Sequence, residues 1–331
     1  RIPWMSWLHS RVSHSRLAMV EICYNEGDLI MNNQEISESA KLGPNEEKIT
    51  QSNEPLPPFL AEPSKIGQEN RITGKWIPAK KGGKFRKSAE SKEMQKEWED
   101  IHVGAKGDSG VLATEINHAV GEDAVLVHHV FKDPDALVHY FGTTATQHMG
   151  ALTKVAKPEL HLIRGVSIPA PARNALLEKN VPGVFGEYLY GYVKEDYVRP
   201  DYESAIMVTA KWMCNSGEPS HLEELKYWWQ RVGTDAYSME EGLLRFEAYQ
   251  VIGEDALIIH ETFKNSDELK VHLSKGTAEK YKKDIDKIAS PECYYFRGPV
   301  SWTIRTYSKF LHLPATYSSH GSSFTRPGGS M

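Results

Sequence analysis

The chain has 331 residues, of which 40% are apolar and 25% are charged, so its composition is that of a globular protein and not of a disordered one. Its 39 basic and 44 acidic residues give a formal net charge of −5, which argues against nucleic-acid binding, because phosphate recognition needs a clustered positive field. The sequence has no run of about 18 apolar residues and therefore predicts no transmembrane helix.

Three cysteines, Cys23, Cys214 and Cys293, are spread along the chain. Their separation excludes a CxxC zinc motif and a dense disulfide framework, and it favours a soluble protein of a reducing compartment. Residues 1–16 are basic, contain several serines and have no acidic residue, as in a transit peptide for a mitochondrion or a plastid. A plain basic N-terminal arm fits the same composition.

The strongest pattern in the sequence is an internal repeat. Residues 242–269 match residues 110–137 at a constant offset of 132, with 12 of 28 positions identical. The similarity continues between residues 152–165 and residues 285–298, with a shift of one position. Matches this dense at a fixed offset indicate an internal duplication.

The second copy, residues 204–310, has a clear order of predicted elements. They are a strand at 206–213, a helix at 219–232, a hairpin of strands 243–252 and 256–263, a helix at 265–288 and a strand at 293–300. The order β-α-β-β-α-β is that of a ferredoxin-like unit, in which helices cover one face of an antiparallel sheet. The sequence therefore predicts an α+β fold.

The first copy, residues 17–168, follows the same order with one long departure. Its first strand is predicted at residues 17–24, and an irregular insertion at about 25–88 follows, without hydrophobic periodicity. A Pro- and Tyr-rich linker strap (169–203) joins the copies, and a Ser- and Gly-rich tail (311–331) ends the chain. The insertion, the strap and the tail are candidate contacts for protein partners.

The second copy resembles the antibiotic-biosynthesis-monooxygenase family. Its alternating hairpin is followed by a helix with an acidic start at 268–281, in which His272 matches the family's usual helix histidine. Tyr140 stands at the equivalent position of the first copy. The resemblance implies the dimeric α+β barrel fold, in which two sheets close around a shared interior. The tandem copies would form this barrel within one chain, as an intramolecular pseudo-dimer.

Period-two alternation separates the two faces of the second predicted hairpin. The apolar face should meet the helices, and it carries Phe246, Ala248, Leu257, Ile259 and Phe263. The other face is polar. A two-residue turn at 254–255 would place Tyr249 opposite His260, and Glu247 opposite Thr262.

Polar residues recur at matching positions of the two hairpins, since Glu115 and His128 correspond to Glu247 and His260. A histidine beside a carboxylate in a partly dry barrel is a candidate general base for a phenol or enol proton. The candidate catalytic residues are His260, Glu247, Tyr249, His128 and Glu115. The candidate substrate-binding residues are Arg245, Trp212, His272, Tyr295, Arg297, Asn117 and Arg164.

Two functions remain open from the sequence. The family resemblance implies a monooxygenase that acts on a quinol- or anthrone-like aromatic without a cofactor or a metal. A buried polar network that fixes the interface between the copies explains the same residues. The protein is then a non-catalytic scaffold or an accessory subunit of a larger, organellar complex. An open pocket beside His260 or His128 would favour the enzyme, and an interior filled by side chains would favour the scaffold.

Overall fold

The structure, a computed structural model, describes residue 60 and residues 68–80, 88–194 and 204–326, except for the side chains of Pro219 and His320. Within these ranges the chain forms ten strands and eight helices, a mixed α+β fold. The first half contains β1 (Asn70–Pro78), α1 (Ala89–Gly107), β2 (Val111–Ala119), β3 (Val125–Phe131), α2 (Pro134–Gly142), α3 (Thr146–Val155), β4 (Ala156–Gly165), α4 (Ala170–Leu177) and β5 (Gly183–Val193). The second half contains β6 (Ile206–Cys214), α5 (Pro219–Met239), β7 (Leu243–Val251), β8 (Ala256–Phe263), α6 (Ser266–Ser274), α7 (Thr277–Ile288), β9 (Ala289–Arg297), α8 (Trp302–Phe310) and β10 (Ala315–Thr325). No helix in the described ranges combines the length and the apolar character that crossing a bilayer demands.

The ten strands close into a barrel. Their order around it is β1-β3-β2-β10-β9-β6-β8-β7-β5-β4, and β4 pairs with β1 to complete the ring. Both halves follow the element order β-α-β-β-α-α-β-α-β. The last strand of each half pairs antiparallel with the hairpin of the other half, β5 with β7 and β10 with β2. The halves are therefore joined edge to edge, and none of these ten strands keeps a free edge.

The helices cover the outer side of the barrel because successive residues of a strand point to opposite sides. In the second half, Phe246 of β7 stacks on Trp229 of α5, with ring centroids 6.3 Å apart. The whole predicted apolar face of the hairpin, from Phe246 to Phe263, is buried in this outer layer. The predicted facing of the hairpin is confirmed.

The register of the second hairpin differs from the prediction. Residues 252–255 connect β7 and β8, where the sequence analysis expects a turn of two residues. Glu247 therefore pairs with His260, and Tyr249 pairs with Ile258. The predicted pairing of Tyr249 with His260 is wrong by two positions. Each side chain keeps its predicted side of the sheet because the shift is even.

Three strands lie in segments that the sequence analysis interprets as irregular. β1 lies inside the insertion 25–88, β5 inside the linker 169–203, and β10 inside the tail 311–331. Composition conceals them, because the inward positions of β1 are polar and the other two strands are rich in tyrosine or serine. The predicted strand 17–24, the N-terminal arm 1–16 and most of the insertion lie outside the described residues.

The helices of the second half also differ in their bounds. α5 extends seven residues beyond its predicted end at 232, and the predicted helix 265–288 is divided into α6 and α7. Gly276 is the N-cap of α7. A Cβ at this position would lie 2.7 Å from the Cα of His272 and 2.5 Å from a carboxylate oxygen of Glu240, so the break requires glycine.

Candidate functional site

Most of the predicted site residues lie inside the barrel. The ten inward residues are His260, Glu247, Tyr249, His128, Glu115, Arg245, Tyr295, Arg297, Asn117 and Arg164, all of them buried. The Nδ1 atom of each interior histidine contacts a threonine hydroxyl, His128 with Thr73 at 2.9 Å and His260 with Thr209 at 3.0 Å. The structure therefore brings the two predicted Glu–His pairs together with arginines in one enclosed centre.

Ion pairs dominate this interior. Arg245 donates a hydrogen bond to Glu247 at 2.5 Å, and Arg297 donates one to Glu115 at 2.7 Å. Burial, together with the neighbouring arginines, holds the pKa of both interior histidines well below the ordinary value, so both imidazoles are neutral. Ion pairs of this kind join the two halves, since Arg297 belongs to the second half and Glu115 to the first. The catalytic assignment of these residues stays a prediction.

A cavity lies on the outer side of the sheet, beneath the helices of the second half. Its volume is about 300 Å³, at the lower end of the range for small-molecule pockets. The two remaining predicted residues, Trp212 and His272, line it. Other residues of its wall are Trp229, Glu261, Ala278, Ile285, Tyr294 and Leu313.

Aromatic rings form one wall of this cavity. Trp212 of β6 meets Trp229 of α5 edge to face, with centroids 5.4 Å apart. It also meets Tyr294 of β9 at 6.0 Å. Each ring comes from a different element, so the wall is held by the packing of the helix on the sheet. Rings in this arrangement offer faces and edges to a flat aromatic ligand.

A buried charged cluster of His272, Glu240 and Glu261 lies beside the cavity, which His272 and Glu261 line. The His272 Nδ1 lies 2.7 Å from a Glu240 oxygen, and its Nε2 lies 3.1 Å from a Glu261 oxygen. The Glu240 carboxylate also accepts hydrogen bonds from the backbone N–H and the hydroxyl of Thr277, at 2.6 and 2.7 Å. Glu240 thus ties the end of α5 to α6 and to the first residue of α7, whereas Glu261 lines the cavity.

The neighbours in the cluster determine its charges. Burial lowers the pKa of His272, but the carboxylates of Glu261 and Glu240 outweigh this effect and raise the pKa to about 10. Burial raises the pKa of Glu240, whereas the hydrogen bonds from His272 and Thr277 outweigh it and lower the pKa to about 2. At neutral pH His272 is therefore an imidazolium between two carboxylates.

This charged cluster predicts a pH-dependent contribution to stability. The part that depends on His272 is fully present below its ordinary pKa of 6.5 and is lost as the pH rises towards about 10. The part that depends on Glu240 is fully present above 4.5 and is lost as the pH falls towards about 2. We expect His272→Gln to lower the free energy of unfolding by about 3 kcal/mol near pH 5.5, and by less near pH 9. Urea unfolding at both pH values measures this, and an equal loss at both would contradict the assigned charge.

Side chains fill the corresponding space in the first half. The offset of 132 places Tyr140 at the position of His272, and His129 at the position of Glu261. The Tyr140 hydroxyl lies 3.2 Å from the His129 Nε2. Burial lowers the pKa of His129 to about 3, so the pair is neutral. The cavity that remains beside it is about 10 Å³, room for no more than a water molecule.

Acidic residues and a histidine also meet at the surface of the first half. Ligand atoms of Glu97, Asp100 and His148 lie within 4.8 Å of one another on α1 and α3. Asp100 is exposed, the other two are half-buried, and none of the three lines the cavity of the second half. The cluster is therefore separate from that cavity.

The comparisons with known proteins find similarity in structure alone. No family model and no curated protein matches the chain. A candidate monooxygenase from Fusobacterium nucleatum is 11% identical, with 79% of this chain and 99% of that chain covered and a TM-score of 0.47. A candidate monooxygenase from Lactobacillus acidophilus is 13% identical. The alignment covers 68% of this chain and 91% of that chain, with a TM-score of 0.43. An anthrone oxidase-like protein is 7% identical to this chain. The alignment covers 80% of this chain and 95% of that chain, with a TM-score of 0.45. These values identify neither a substrate nor a reaction.

Two residues of the charged cluster are absent from the predicted site. Glu261 interrupts the apolar outer face of β8 between Ile259 and Phe263, and a carboxylate between buried apolar neighbours is a signal that the sequence contains. Glu240 follows α5 directly. Nothing in its local sequence marks it, because its partners come from two later helices.

Proposed function

We propose that the protein is a cofactor-independent monooxygenase and that a quinol- or anthrone-like aromatic binds in the cavity beside His272 and Glu261. One observation carries the proposal: an aromatic-walled cavity with a buried ion pair in one half, where the equivalent space in the other half is filled. Fixed charges beside a partly enclosed, mainly apolar space suit the removal of a proton from a phenol or an activated C–H group.

We also infer that the halves are two ferredoxin-like repeats, residues 17–168 and 204–310, which form an intramolecular counterpart of the dimeric α+β barrel. Both halves share the order β-α-β-β-α-α-β, from β1 to β4 and from β6 to β9, which is the ferredoxin-like order with its second helix divided, and this supports the inference. β5 and β10 follow the repeats and join the two halves. The second repeat then holds the working site, and the first repeat completes the barrel. Protein partners and an organellar location stay predictions.

The geometry gives the two carboxylates different roles in the proton transfer. Glu240 is saturated by His272 and Thr277, so it holds the imidazolium in place. Glu261 lines the cavity and accepts the proton from the substrate. The imidazolium of His272 then stabilises the negative charge that develops on the substrate oxygen.

The reaction with oxygen follows from that anion. With an anthrone, electrons pass from the anion to O₂, and a C–O bond forms at the methylene carbon. The O–O bond breaks, one oxygen atom remains as a carbonyl, and the other leaves as water with the two methylene hydrogens. One molecule of O₂ is consumed for each quinone that forms, and no external reductant is needed.

Filling the cavity tests this function. Ala278 is a half-buried residue of α7 on the cavity wall, so Ala278→Phe blocks the space without removing a core side chain. We expect the wild type to consume one O₂ per anthrone, and the variant to lose roughly 100-fold or more in kcat/KM. The matched control is Ala175→Phe, at a half-buried position of α4 that lines neither cavity. It should keep the wild-type rate.

The scaffold makes a different prediction for the same experiment. If the wild type neither consumes oxygen with anthrones and quinols nor binds them, the cavity is not a substrate site and the scaffold function replaces the enzyme. If Ala278→Phe consumes oxygen as fast as the wild type, the reaction takes place elsewhere in the protein.

A further inference from the structure

In the described part of the chain, four buried arginines lie in the polar centre of the barrel, and three of them have a carboxylate partner. Arg71 pairs with Glu69. Arg245 pairs with Glu247, and Arg297 pairs with Glu115. These three pairs balance in charge. The interior histidines are neutral, so the charge of the centre depends on the fourth arginine.

That fourth arginine is Arg164 of β4, and its side chain is 0% exposed. Among the described residues, none provides a hydrogen-bond acceptor for any of its three guanidinium nitrogens. Its Cζ lies 5.8 Å from the centroid of the Tyr249 ring, and Glu247 attracts it from within the same centre. An ion that is buried without an opposite charge is costly, and so are N–H groups without an acceptor.

Other donors in the same centre also lack an acceptor in the described part of the chain. They are the hydroxyl of Tyr249, the Nε and one Nη of Arg297, and the Nε2 atoms of His128 and His260. Each Nε2 carries the hydrogen when the corresponding Nδ1 accepts from its threonine.

The protein's own acceptors do not balance these donors. Two carboxylate oxygens, Glu115 Oε1 and Glu247 Oε2, have no donor among the described residues. The guanidinium of Arg164 alone has more N–H groups than these two oxygens can accept hydrogen bonds from. Among the described residues, the centre therefore contains more donors than acceptors and one more arginine than carboxylates.

We propose that the centre of the barrel binds one small monovalent anion, a halide or a small carboxylate, which Arg164 holds with the Tyr249 hydroxyl and the two histidine Nε2–H groups. Such an ion supplies the missing negative charge and accepts the surplus hydrogen bonds. Water would supply acceptors but not the charge.

Apolar layers close the centre on both sides along the barrel axis. Leu126, Tyr249 and Ile258 belong to the buried layer on one side, and Val130 and Met207 belong to the layer on the other. The ion would therefore exchange slowly with solvent. Its binding should be visible as a shift in the unfolding equilibrium, since the unfolded chain does not hold it.

The thermal midpoint of the full chain in different sodium salts tests the proposal. At equal ionic strength, bromide or formate should raise the wild-type midpoint above its value in gluconate, saturably and by about 5 °C or more. Bromide and formate distinguish a halide site from a carboxylate site. Arg164→Met should remove the dependence on the anion and keep its stability in gluconate, because it also removes the buried charge. Arg231→Met, at an exposed position of α5, should respond as the wild type does.

Two results would overturn the proposal. One is a wild-type midpoint that is the same in all three salts, and the other is an Arg164→Met variant that keeps the wild-type response. If that variant does not fold, crystals of the wild type grown in bromide decide the question by anomalous scattering. A bromide peak beside Arg164 supports the site, and water alone at that place, both in these crystals and in crystals grown in formate, contradicts it.

Discussion

A chain that ends at Pro314 is expected to lose its cooperative unfolding transition and to aggregate. The truncation removes β10 (Ala315–Thr325), which pairs with β9 on one side and with β2 on the other. Both neighbours then have free edges, and the charged centre of the barrel meets water. Thermal unfolding by circular dichroism and the apparent mass on size exclusion measure the effect.

Two controls separate closure of the barrel from loss of residues. A chain that ends at Arg326 keeps β10 and should unfold as the full chain does. Gly321→Val tests the same strand pair by one substitution, because a Cβ at Gly321 would meet the carbonyl oxygen of Ile116 in β2. We expect it to lower the free energy of unfolding by about 3 kcal/mol. The matched control is Gly217→Val, where a Cβ meets nothing within 4 Å. If the chain that ends at Pro314 melts cooperatively near the full-length midpoint, β10 does not close the barrel.

Glu261→Gln is expected to lower kcat with an anthrone by roughly 10²- to 10⁴-fold, because the amide cannot accept the substrate proton. His272→Gln should produce a loss of similar size, since it removes the positive charge beside the developing anion. Oxygen uptake under saturating substrate measures kcat, and circular dichroism checks that each variant is folded.

The equivalent positions of the first half provide the controls for these variants. Tyr140→Phe and His129→Gln alter the filled space, so both should keep the wild-type rate within about twofold. A variant in the barrel interior provides the result that would contradict the proposed site. If His260→Ala abolishes turnover with the fold intact while Glu261→Gln keeps the wild-type rate, the chemistry takes place inside the barrel.

The part of the fold that could be predicted is the part in which the hydrophobic pattern follows the strand period. The faces of the second hairpin are as predicted because Phe246, Ile259 and Phe263 alternate with polar residues. The register of the hairpin differs from the prediction, because a four-residue connection at 252–255 shifts the pairing of the two strands by two residues. Pattern alone does not determine the length of a turn.

The strands that the sequence analysis misses have inward faces that carry charge or hydroxyl groups. β1 points Arg71 and Thr73 into the polar centre of the barrel, so its alternation resembles that of a solvated segment. β10 buries Ser318 and Thr316. In the local sequence, such polar residues are typical of loops. They form strands here because the neighbouring strands of the closed barrel pair with them.

The residues of the candidate site also fall into two groups, those that the sequence indicates and those that only the structure shows. His272 and Trp212 are among the predicted substrate-binding residues, and both line the cavity of the second half. Glu240 could not be predicted, because it reaches His272 only after α5 ends and the following helices fold back. Which half contains the open cavity could not be predicted from the sequence either. It depends on the packed structure, in which Tyr140 fills the space that stays open beside His272.

The most direct test of the site is a crystal structure of the protein with a hydroxylated anthraquinone, a stable analogue of the proposed product. We predict electron density for the ligand in the cavity of the second half, packed on Trp212 and Trp229, with an oxygen atom facing Glu261. Density beside His260 in the barrel interior, or an empty cavity at saturating ligand, would contradict this assignment of the site.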